Sequence, residues 1–263
     1  MDLGLSGKVA LIAASSKGLG KACALAFARE GARVVICARD KETLVQTENE
    51  LRRQCNADVL SIPCDLTDGG SIKNLVRDVT GSFGTIDVLV NNAGGPSPGY
   101  FLDMQDDAWD QAYQLSLMSS VRLTREVLPF MKKQKYGRIV NITSVTVKQP
   151  IDQLVLSNSL RMGVIGWAKT LSNQVAGEGI TINNVCPGWT RTGRVDALLR
   201  NQAGDQGISV EDAERKITDL IPMRRMGTPD EFAELVVFLA SNSAAYITGT
   251  TIQIDGGLTA GYY

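Results

Sequence analysis

The stretch KVALIAASSKGLG, residues 8–20, shows how the chain begins to fold. An apolar run with β-branched residues, 8–13, leads into a short turn, and a segment of helical length, 20–30, follows. Gly18 and Gly20 permit a tight turn and let backbone N–H groups at the start of a helix come close to a phosphate. A strand, a glycine turn and a helix in this order are typical of the first unit of a dinucleotide-binding fold.

The same alternation continues along the chain. Further apolar runs lie at 33–37, 58–63, 86–92, 137–143, 180–187 and 251–256, and helix-length segments lie at 41–54, 71–83 and 157–176. Strands that alternate with helices predict an α/β fold with a Rossmann-like, doubly wound parallel sheet in three α/β/α layers. A length of 263 residues with 44% hydrophobic content suits a single domain.

The segment at about 189–225 is the least regular part of the chain. It is charged and is interrupted by Gly193, Gly204 and Gly207. This pattern predicts a polar helical excursion with loops. It is compatible with a lid over a ligand and equally with an ordinary surface insertion.

Composition excludes several classes of function. The 27 basic and 28 acidic residues give a net charge of −1, so no general attraction to nucleic acid or to an anionic membrane is expected. The apolar run at 9–14 is too short for a signal peptide or a membrane span. Because the chain has no histidine, hydrolase triads built on histidine are excluded, and acid/base chemistry must use Lys, Tyr, Cys, Asp or Glu.

The five cysteines are scattered and none has C-x-x-C spacing. They are Cys23, Cys37, Cys55, Cys64 and Cys186. Neither a disulfide framework nor a zinc site is expected, and a reducing cytoplasm fits this pattern.

Four short motifs follow one another along the chain in a characteristic order: CDLTD at 64–68, NNAG at 91–94, CPGWTRT at 186–192 and ITGTTIQIDGG at 247–257. With this spacing over nearly the whole chain, the sequence resembles the short-chain dehydrogenase/reductase family, in particular its 3-oxoacyl-acyl-carrier-protein reductases. The family's turn, Thr-Gly-x-x-x-Gly-x-Gly, is matched at its last two glycines by Gly18 and Gly20. Ala13 and Ala14 stand at its first two positions.

The resemblance implies a nicotinamide dinucleotide cofactor. The Asn-Asn-Ala-Gly turn would line the riboses, Asp65 would lie at the adenine, the Pro187-Gly188 turn would pack beside the nicotinamide, and Thr192 would contact its carboxamide. The expected cofactor-binding residues are Ser16, Lys17, Gly18, Leu19, Gly20, Arg39, Asp65, Leu66, Asn91, Ala93, Gly94, Pro187, Gly188 and Thr192.

The end of the second predicted strand favours NADP(H) over NAD(H). NAD-specific relatives carry an Asp there, whose carboxylate binds the ribose 2′-OH and repels a 2′-phosphate. This chain has Ala38, followed by Arg39, and Lys17 lies in the glycine turn. Two cations without that carboxylate suit a 2′-phosphate, although Asp40 could partly neutralise Arg39.

The resemblance also implies carbonyl reduction by a Ser, a Tyr, a Lys and an Asn. Ser144 matches the serine, but Ser157, Arg161 and Ser116 stand at the Tyr, Lys and Asn positions. The i, i+4 spacing keeps residues 157 and 161 on one helix face. A serine hydroxyl is a much weaker acid than a phenol, and a protonated Arg can stabilise an oxyanion but cannot relay a proton.

Two interpretations follow from this altered set. In the first, Ser144 and Arg161 polarise a carbonyl, and Lys148, or alternatively Tyr100, donates the proton. Lys148 could equally be a solvent-exposed loop lysine. In the second, the chain is a non-catalytic NADPH-binding or scaffold protein. We favour the oxidoreductase, because Ser144 and the Pro-Gly turn remain.

The resemblance points to a 3-oxoacyl thioester as substrate, while a small ketone, a sugar or a cyclic ketone stays compatible with the sequence. It also implies a homotetramer, or a homodimer, with the small and apolar residues of 157–176 at a helix contact. The ending GGLTAGYY, 256–263, would lie at a subunit boundary, where Tyr262 or Tyr263 would reach a neighbouring active site.

Overall fold

The structure is a computed structural model that describes residues 2–261, so the prediction for Tyr262 and Tyr263 lies outside the described residues. Seven strands form one parallel sheet in the order β3-β2-β1-β4-β5-β6-β7. They are β1 (Val9–Ile12), β2 (Arg33–Ala38), β3 (Val59–Pro63), β4 (Val88–Asn91), β5 (Gly137–Ile142), β6 (Ile180–Pro187) and β7 (Thr251–Ile254). The predicted single-domain, doubly wound parallel sheet is confirmed.

Nine α-helices accompany the sheet within the described residues. They are α1 (Gly18–Arg29), α2 (Lys41–Cys55), α3 (Gly69–Phe83), α4 (Asp106–Ala112), α5 (Ser119–Gln134), α6 (Val155–Val175), α7 (Gly193–Gln206), α8 (Val210–Thr218) and α9 (Pro229–Ala240). A π-helical turn, Tyr113–Met118, joins α4 to α5. Between residues 2 and 261, no helix combines the length and apolar character needed to cross a bilayer.

Alternating side chains of the central strands build a core on each face of the sheet. In β1, Ala10 and Ile12 pack with Phe27 of α1 and Phe232 of α9. Val9 and Leu11 point the other way and join the cluster formed by α3, α5 and α6. Because successive residues of a strand face opposite sides, a run that is apolar at every position is buried on both faces. This arrangement produces the three layers.

Helix starts follow local capping. The predicted helix at 71–83 begins two residues earlier, at Gly69, because the Asp68 carboxylate accepts hydrogen bonds from the N–H groups of Gly70 and Ser71. Such a cap satisfies backbone donors that have no partner inside the helix. The carboxylate therefore sets the first turn of α3.

The predicted excursion at 189–225 contains α7 and α8. Their apolar side chains form a small core of their own, which includes Leu199, Ala213 and Ile217. Thr192 caps α7 by accepting the N–H of Val195. The segment is therefore folded as a helical pair beside the sheet.

A row of polar side chains crosses the buried part of the sheet. The Nδ2 of Asn91 donates to Oδ1 of Asn141 at 2.8 Å, and Nδ2 of Asn141 donates to Oδ1 of Asn184, also at 2.8 Å. Nδ2 of Asn184 then donates to Oγ1 of Thr251 at 3.1 Å. These four residues are also register partners in neighbouring strands. We call this set, Asn91, Asn141, Asn184 and Thr251, the amide row.

Replacing Asn141 with Leu is expected to destabilise the fold. The apolar side chain keeps the volume but leaves Oδ1 of Asn184 without its donor in a buried environment, which costs about 1–3 kcal/mol of unfolding free energy. Urea denaturation followed by circular dichroism would measure the loss. Asn49→Ala, at an exposed position of α2, is the matched control and should unfold like the parent chain. An unchanged midpoint for Asn141→Leu would contradict a structural role for the amide row.

Candidate active site

The candidate site lies at the carboxyl ends of the strands, where the strand order reverses between β1 and β4. In open parallel sheets, ligands bind in the crevice at this point. The glycine turn follows β1, the Asn-Asn-Ala-Gly turn follows β4, Ser144 follows β5, and the Pro187-Gly188 turn ends β6. The fold therefore brings the motifs that were singled out in the sequence to one edge.

The glycine turn is locked to the turn after β4. The Nδ2 of Asn92 donates to the carbonyls of Ala13 and Ala14, at 3.1 Å each. A Cβ on Gly20 would lie 2.5 Å from the Ala14 carbonyl oxygen, so only glycine fits there. Ala14 has a φ of 47°. A conformation that glycine adopts freely is strained for alanine, so the methyl group is accommodated at some cost to stability.

The start of α1 fits a pyrophosphate. No side chain caps its first turn, and the first turn carries no acidic residue. A Cβ on Gly94, across the crevice, would meet nothing within 4 Å, so the space above the turn is open. Free N–H groups at a helix start attract anionic oxygens. These residues therefore suit the phosphates of a dinucleotide.

Two exposed cations, Lys17 and Arg39, lie near the carboxylates of Asp40 and Asp65, respectively, beyond the end of β2. Hydrogen bonds from Thr67 lower the pKa of the Asp65 carboxyl below its usual value, and Arg39 lowers it further. The Asp40 carboxylate caps α2 by accepting the N–H of Thr43, at 2.7 Å. Asp40 is thus occupied as a helix cap, while the Arg39 side chain is exposed beside Asp65.

The other predicted cofactor residues differ in what they can offer. The Leu66 side chain is buried in the core, so only its backbone can face a ligand. The Asn91 side chain belongs to the amide row. Gly188 lies against Asp255, whose Cβ would be 2.6 Å from a Cβ at that position. Ser16, Leu19, Ala93 and Pro187 are partly exposed.

Thr192 faces the glycine turn from the start of α7. A Cβ on Gly18 would lie 3.9 Å from the Cγ2 atom of Thr192. The helical pair therefore begins directly opposite the phosphate end of the crevice.

Ser144 and Ser157 are joined through a residue that the sequence analysis did not single out. Ser144 Oγ accepts the backbone N–H of Thr146 at 3.2 Å. The hydroxyl oxygens of Thr146 and Ser157 are 3.5 Å apart. Ser157 and Thr146 are buried, and Ser144 is half-buried. The structure thus places both serines next to Thr146 at the end of β5, Ser144 against its backbone and Ser157 against its hydroxyl. We call Ser144, Thr146 and Ser157 the hydroxyl cluster.

Arg161 lies beneath this cluster. Its side chain is 8% exposed, and Nη1 donates to the carbonyl of Ile142 at 2.9 Å. No carboxylate of residues 2–261 forms an ion pair with it. Burial, with a smaller effect of Arg194, lowers the pKa of the guanidinium to about 10. The group is therefore a buried cation at neutral pH.

A small polar cavity adjoins Arg161. Asn91 and Ser116 line it, and within the described structure neither Oδ1 of Asn91 nor Oγ of Ser116 has a hydrogen-bond partner. Ser116 lies in the π-helical turn. Such turns are rare and are often found at functional sites. The cavity is suited to a polar guest such as water.

Lys148 and Tyr100 occupy different parts of the site. Lys148 is half-buried on the turn that begins with Ser144, and its charge acts on the buried thiol of Cys186. Burial raises the pKa of that thiol. Tyr100 is 52% exposed, and its hydroxyl accepts a hydrogen bond from Gln153 at 3.1 Å. Lys148 therefore lies next to the hydroxyl cluster, and Tyr100 lies at the rim.

Arg194 is a further residue that the sequence analysis missed. It reaches from α7 to the carbonyls of Gly95 and Pro96. Its position two residues after Thr192 was the one sequence feature that could have indicated a role at the site. Its hydrogen-bond partners, Gly95 and Pro96, lie 99 and 98 residues away in the sequence. Among the residues described, no group of three or more His, Cys, Asp or Glu could hold a metal ion.

Comparisons with known proteins agree on one family. A family model described as enoyl-(acyl-carrier-protein) reductase matches residues 13–259. A 3-oxoacyl-[acyl-carrier-protein] reductase of Thermotoga maritima is 36% identical over 257 residues, which are 97% of this chain and 98% of that protein. The granaticin polyketide synthase putative ketoacyl reductase 1 of Streptomyces violaceoruber is 36% identical over 95% of this chain and 92% of its own length.

A solved structure gives the same picture. The L-sorbose reductase of Gluconobacter frateurii, complexed with NADPH and L-sorbose, superposes with a TM-score of 0.95 at 32% identity. The match covers 99% of this chain and 100% of that chain. The similarity therefore includes the whole sheet and the helical pair α7–α8.

Arg161→Met is expected to stabilise the unliganded chain. A buried cation without a carboxylate partner is costly, and an apolar side chain of similar size should raise the unfolding free energy by about 1 kcal/mol or more. Arg161 has a lowered pKa in the fold, so the unfolded chain holds this proton more tightly and the parent regains stability as the pH rises through about 10. The difference between the two proteins should narrow there.

Denaturation at pH 7 and at pH 10 would measure both effects. Arg161→Lys, which keeps a cation, is the control and should not be stabilised. A less stable Arg161→Met protein would show that the bond to the Ile142 carbonyl outweighs the cost of burying the charge.

Proposed function

Because the chain belongs to the short-chain dehydrogenase/reductase family, we propose that it is an NADP(H)-dependent oxidoreductase that reduces a ketone, of the 3-oxoacyl type or similar, to an alcohol. The observation that carries the proposal is the hydroxyl cluster of Ser144, Thr146 and Ser157 with the buried cation Arg161 below it. Hydroxyl donors beside a fixed positive charge suit an oxygen that becomes negative during reduction.

A nicotinamide cofactor would supply the hydride. Ser144 would donate its hydroxyl hydrogen to the substrate oxygen, because the N–H of Thr146 occupies an acceptor position of Ser144 Oγ and leaves its O–H free to turn outward. Arg161 would stabilise the developing negative charge from below. Its lowered pKa of about 10 still keeps it protonated at neutral pH.

We assign the proton donor to Lys148. The Ser157 hydroxyl is too weak an acid to donate the proton. Its neighbouring hydroxyl, that of Thr146, is an equally weak acid. Lys148 lies on the turn that Ser144 begins, is half-buried, and acts electrostatically on Cys186 near the end of β6. Tyr100, held at the rim by Gln153, is the second candidate.

The charges at the adenosine end support NADP(H) over NAD(H). Arg39 and Lys17 are both exposed. The Asp40 carboxylate caps α2 and acts on Lys17, and Asp65, hydrogen-bonded by Thr67, acts on Arg39, so each cation is partly neutralised. A 2′-phosphate would still meet two cations, and a ribose 2′-OH would find no carboxylate at Ala38.

The surroundings support three further parts of the proposal. The pair α7–α8, within 189–225, would act as a lid, since it starts opposite the glycine turn.

A groove between α5 and α6, lined by Leu128, Trp167 and Leu171, would be covered by a second copy in a homotetramer or homodimer. The chain would act in the cytoplasm, in keeping with its free cysteines.

The purified chain is expected to oxidise NADPH in the presence of a ketone. A panel of carbonyl compounds that includes an acetoacetyl thioester, followed by the loss of NADPH absorbance, would test this. Ser144→Ala should lower kcat by about 100-fold, a typical effect of removing one donor to a developing oxyanion. Lys148→Met should also lower kcat, because it removes the proposed proton donor.

The outcomes separate the possible interpretations. Unchanged turnover in Lys148→Met would remove Lys148 as the donor, and Tyr100→Phe would then be the next variant to measure. If NADPH binds but no carbonyl is reduced, the chain is a cofactor-binding protein without turnover and the proposed activity is wrong.

The Arg39→Ala variant is expected to bind NADPH about ten-fold more weakly and NADH unchanged, since a charge-assisted hydrogen bond is worth about 1.5–3 kcal/mol. Fluorescence titration of both cofactors would measure the two dissociation constants. Arg53→Ala, at an exposed position near the end of α2, is the control and should change neither constant. Equal affinity of the parent chain for NADH and NADPH would defeat the preference.

A further inference from the structure

The cations of the helical pair differ sharply in how they are neutralised. In this segment Arg191 pairs with Glu214, Arg224 with Asp219 and Arg225 with Glu231. Arg194 has no acidic partner among residues 2–261, where its hydrogen bonds go to backbone carbonyls. The chain thus supplies a carboxylate to these three arginines and, through Asp212, to Arg215, whereas Arg194 and the exposed Arg200 have no ion pair within the described residues. Of these two unpaired arginines, Arg194 is the one that backbone carbonyls hold in place.

Arg194 is held in a defined position. Its Nη1 donates to the Gly95 carbonyl at 3.0 Å, and its Nη2 donates to the Pro96 carbonyl at 2.8 Å. A Cβ on Gly95 would lie 2.4 Å from the guanidinium carbon, so the group packs flat against Gly95 and would have to move if this residue carried a side chain. Neutral carbonyls orient the guanidinium but leave its charge in place. A guanidinium has five N–H donors, so three remain for a ligand.

The free charge of Arg194 acts at the catalytic centre. Arg194 contributes to the lowered pKa of Arg161, so the two guanidinium groups lie in the same electrostatic environment. Lys148 and Arg161 both lower the pKa of the Cys186 thiol, so Lys148 belongs to the same electrostatic environment. None of these three cations has an acidic partner in the described structure, and a bound anion would reduce the repulsion between them. Arg194 is the one that the proposed reduction does not use.

We propose that Arg194 binds a carboxylate of the substrate, so that the chain reduces a keto acid in preference to a neutral ketone or a thioester. This inference rests on the proposed function. A guanidinium presents paired N–H groups that match the two oxygens of a carboxylate. Arg194 is fixed to the carbonyls of Gly95 and Pro96, directly after the Asn-Asn-Ala-Gly turn, so it would meet an anionic group near the reacting carbonyl and not a phosphate at the far end of a long thioester tether.

Acetoacetate and methyl acetoacetate form a suitable pair of probes, because they share the ketone and differ in the negative charge. The parent chain should reduce acetoacetate with a kcat/KM at least about ten-fold above that of the ester, the size expected for one charge-assisted contact. Arg194→Met should lose this preference by lowering kcat/KM for acetoacetate, while that for the ester stays near the parent value.

Arg191→Met is the matched control. It lies three residues away, loses an exposed ion pair with Glu214 and should keep the full preference for the acid. Equal kcat/KM for acid and ester in the parent chain would overturn the inference. So would an Arg194→Met protein whose NADPH dissociation constant rises as much as its acetoacetate kcat/KM falls, because the guanidinium would then serve the cofactor.

Equilibrium binding separates this inference from the proposed activity. Calorimetric titration of the chain loaded with NADP+, which cannot reduce a ketone, should show acetoacetate binding more tightly than methyl acetoacetate, and Arg194→Met should abolish the difference. If no carbonyl is reduced but this binding pattern holds, the proposed reduction is wrong and the carboxylate site stands. If neither probe binds, or both bind equally, the carboxylate site is wrong.

Discussion

The amide row fixes the register of the strands that carry the candidate site. Asn91, Asn141 and Asn184 are register partners, and each amide donates to the next. The row lies just below the carboxyl edge of the sheet: Asn92 follows its first member directly, and Ser144 follows Asn141 after two residues. A slip of one residue would turn these amides to the opposite face and leave them unpaired. The row therefore fixes which side chains emerge at the edge.

The site above this row combines strict packing with uncompensated charge. Gly20 leaves no space for a side chain, and Asn92 ties two turns together. By contrast, Arg161 is buried without a carboxylate, and Ala14 holds a strained backbone conformation. Such costs are tolerated where the surrounding fold is stable and where the group has a role in binding or chemistry. The two large cores, one on each face of the sheet, provide that stability.

Much of the fold could be predicted from local pattern, whereas contacts between distant segments could not. The apolar runs predicted all seven strands, five of which are largely or wholly buried, while β3 and β7 at the two edges of the sheet are partly exposed. The pairing of Asn141 with Asn184 depends on strand register, which the sequence pattern alone does not reveal. The bridging position of Thr146 and the reach of Arg194 to Pro96, 98 residues away, arise only when the chain is folded. The π-helical turn at Ser116 has no glycine or proline to signal it.

The small core of α7 and α8 has a consequence for how such a chain can diverge. Its buried members, among them Leu199, Ala213 and Ile217, belong to neither of the two main cores. Substitutions within this helical pair therefore change the shape and charge of the crevice wall while the sheet keeps its packing. Mutations in this segment can therefore change substrate preference without unfolding the sheet and its two main cores. Arg194, which projects from the same pair toward the crevice, is the kind of change that such freedom allows.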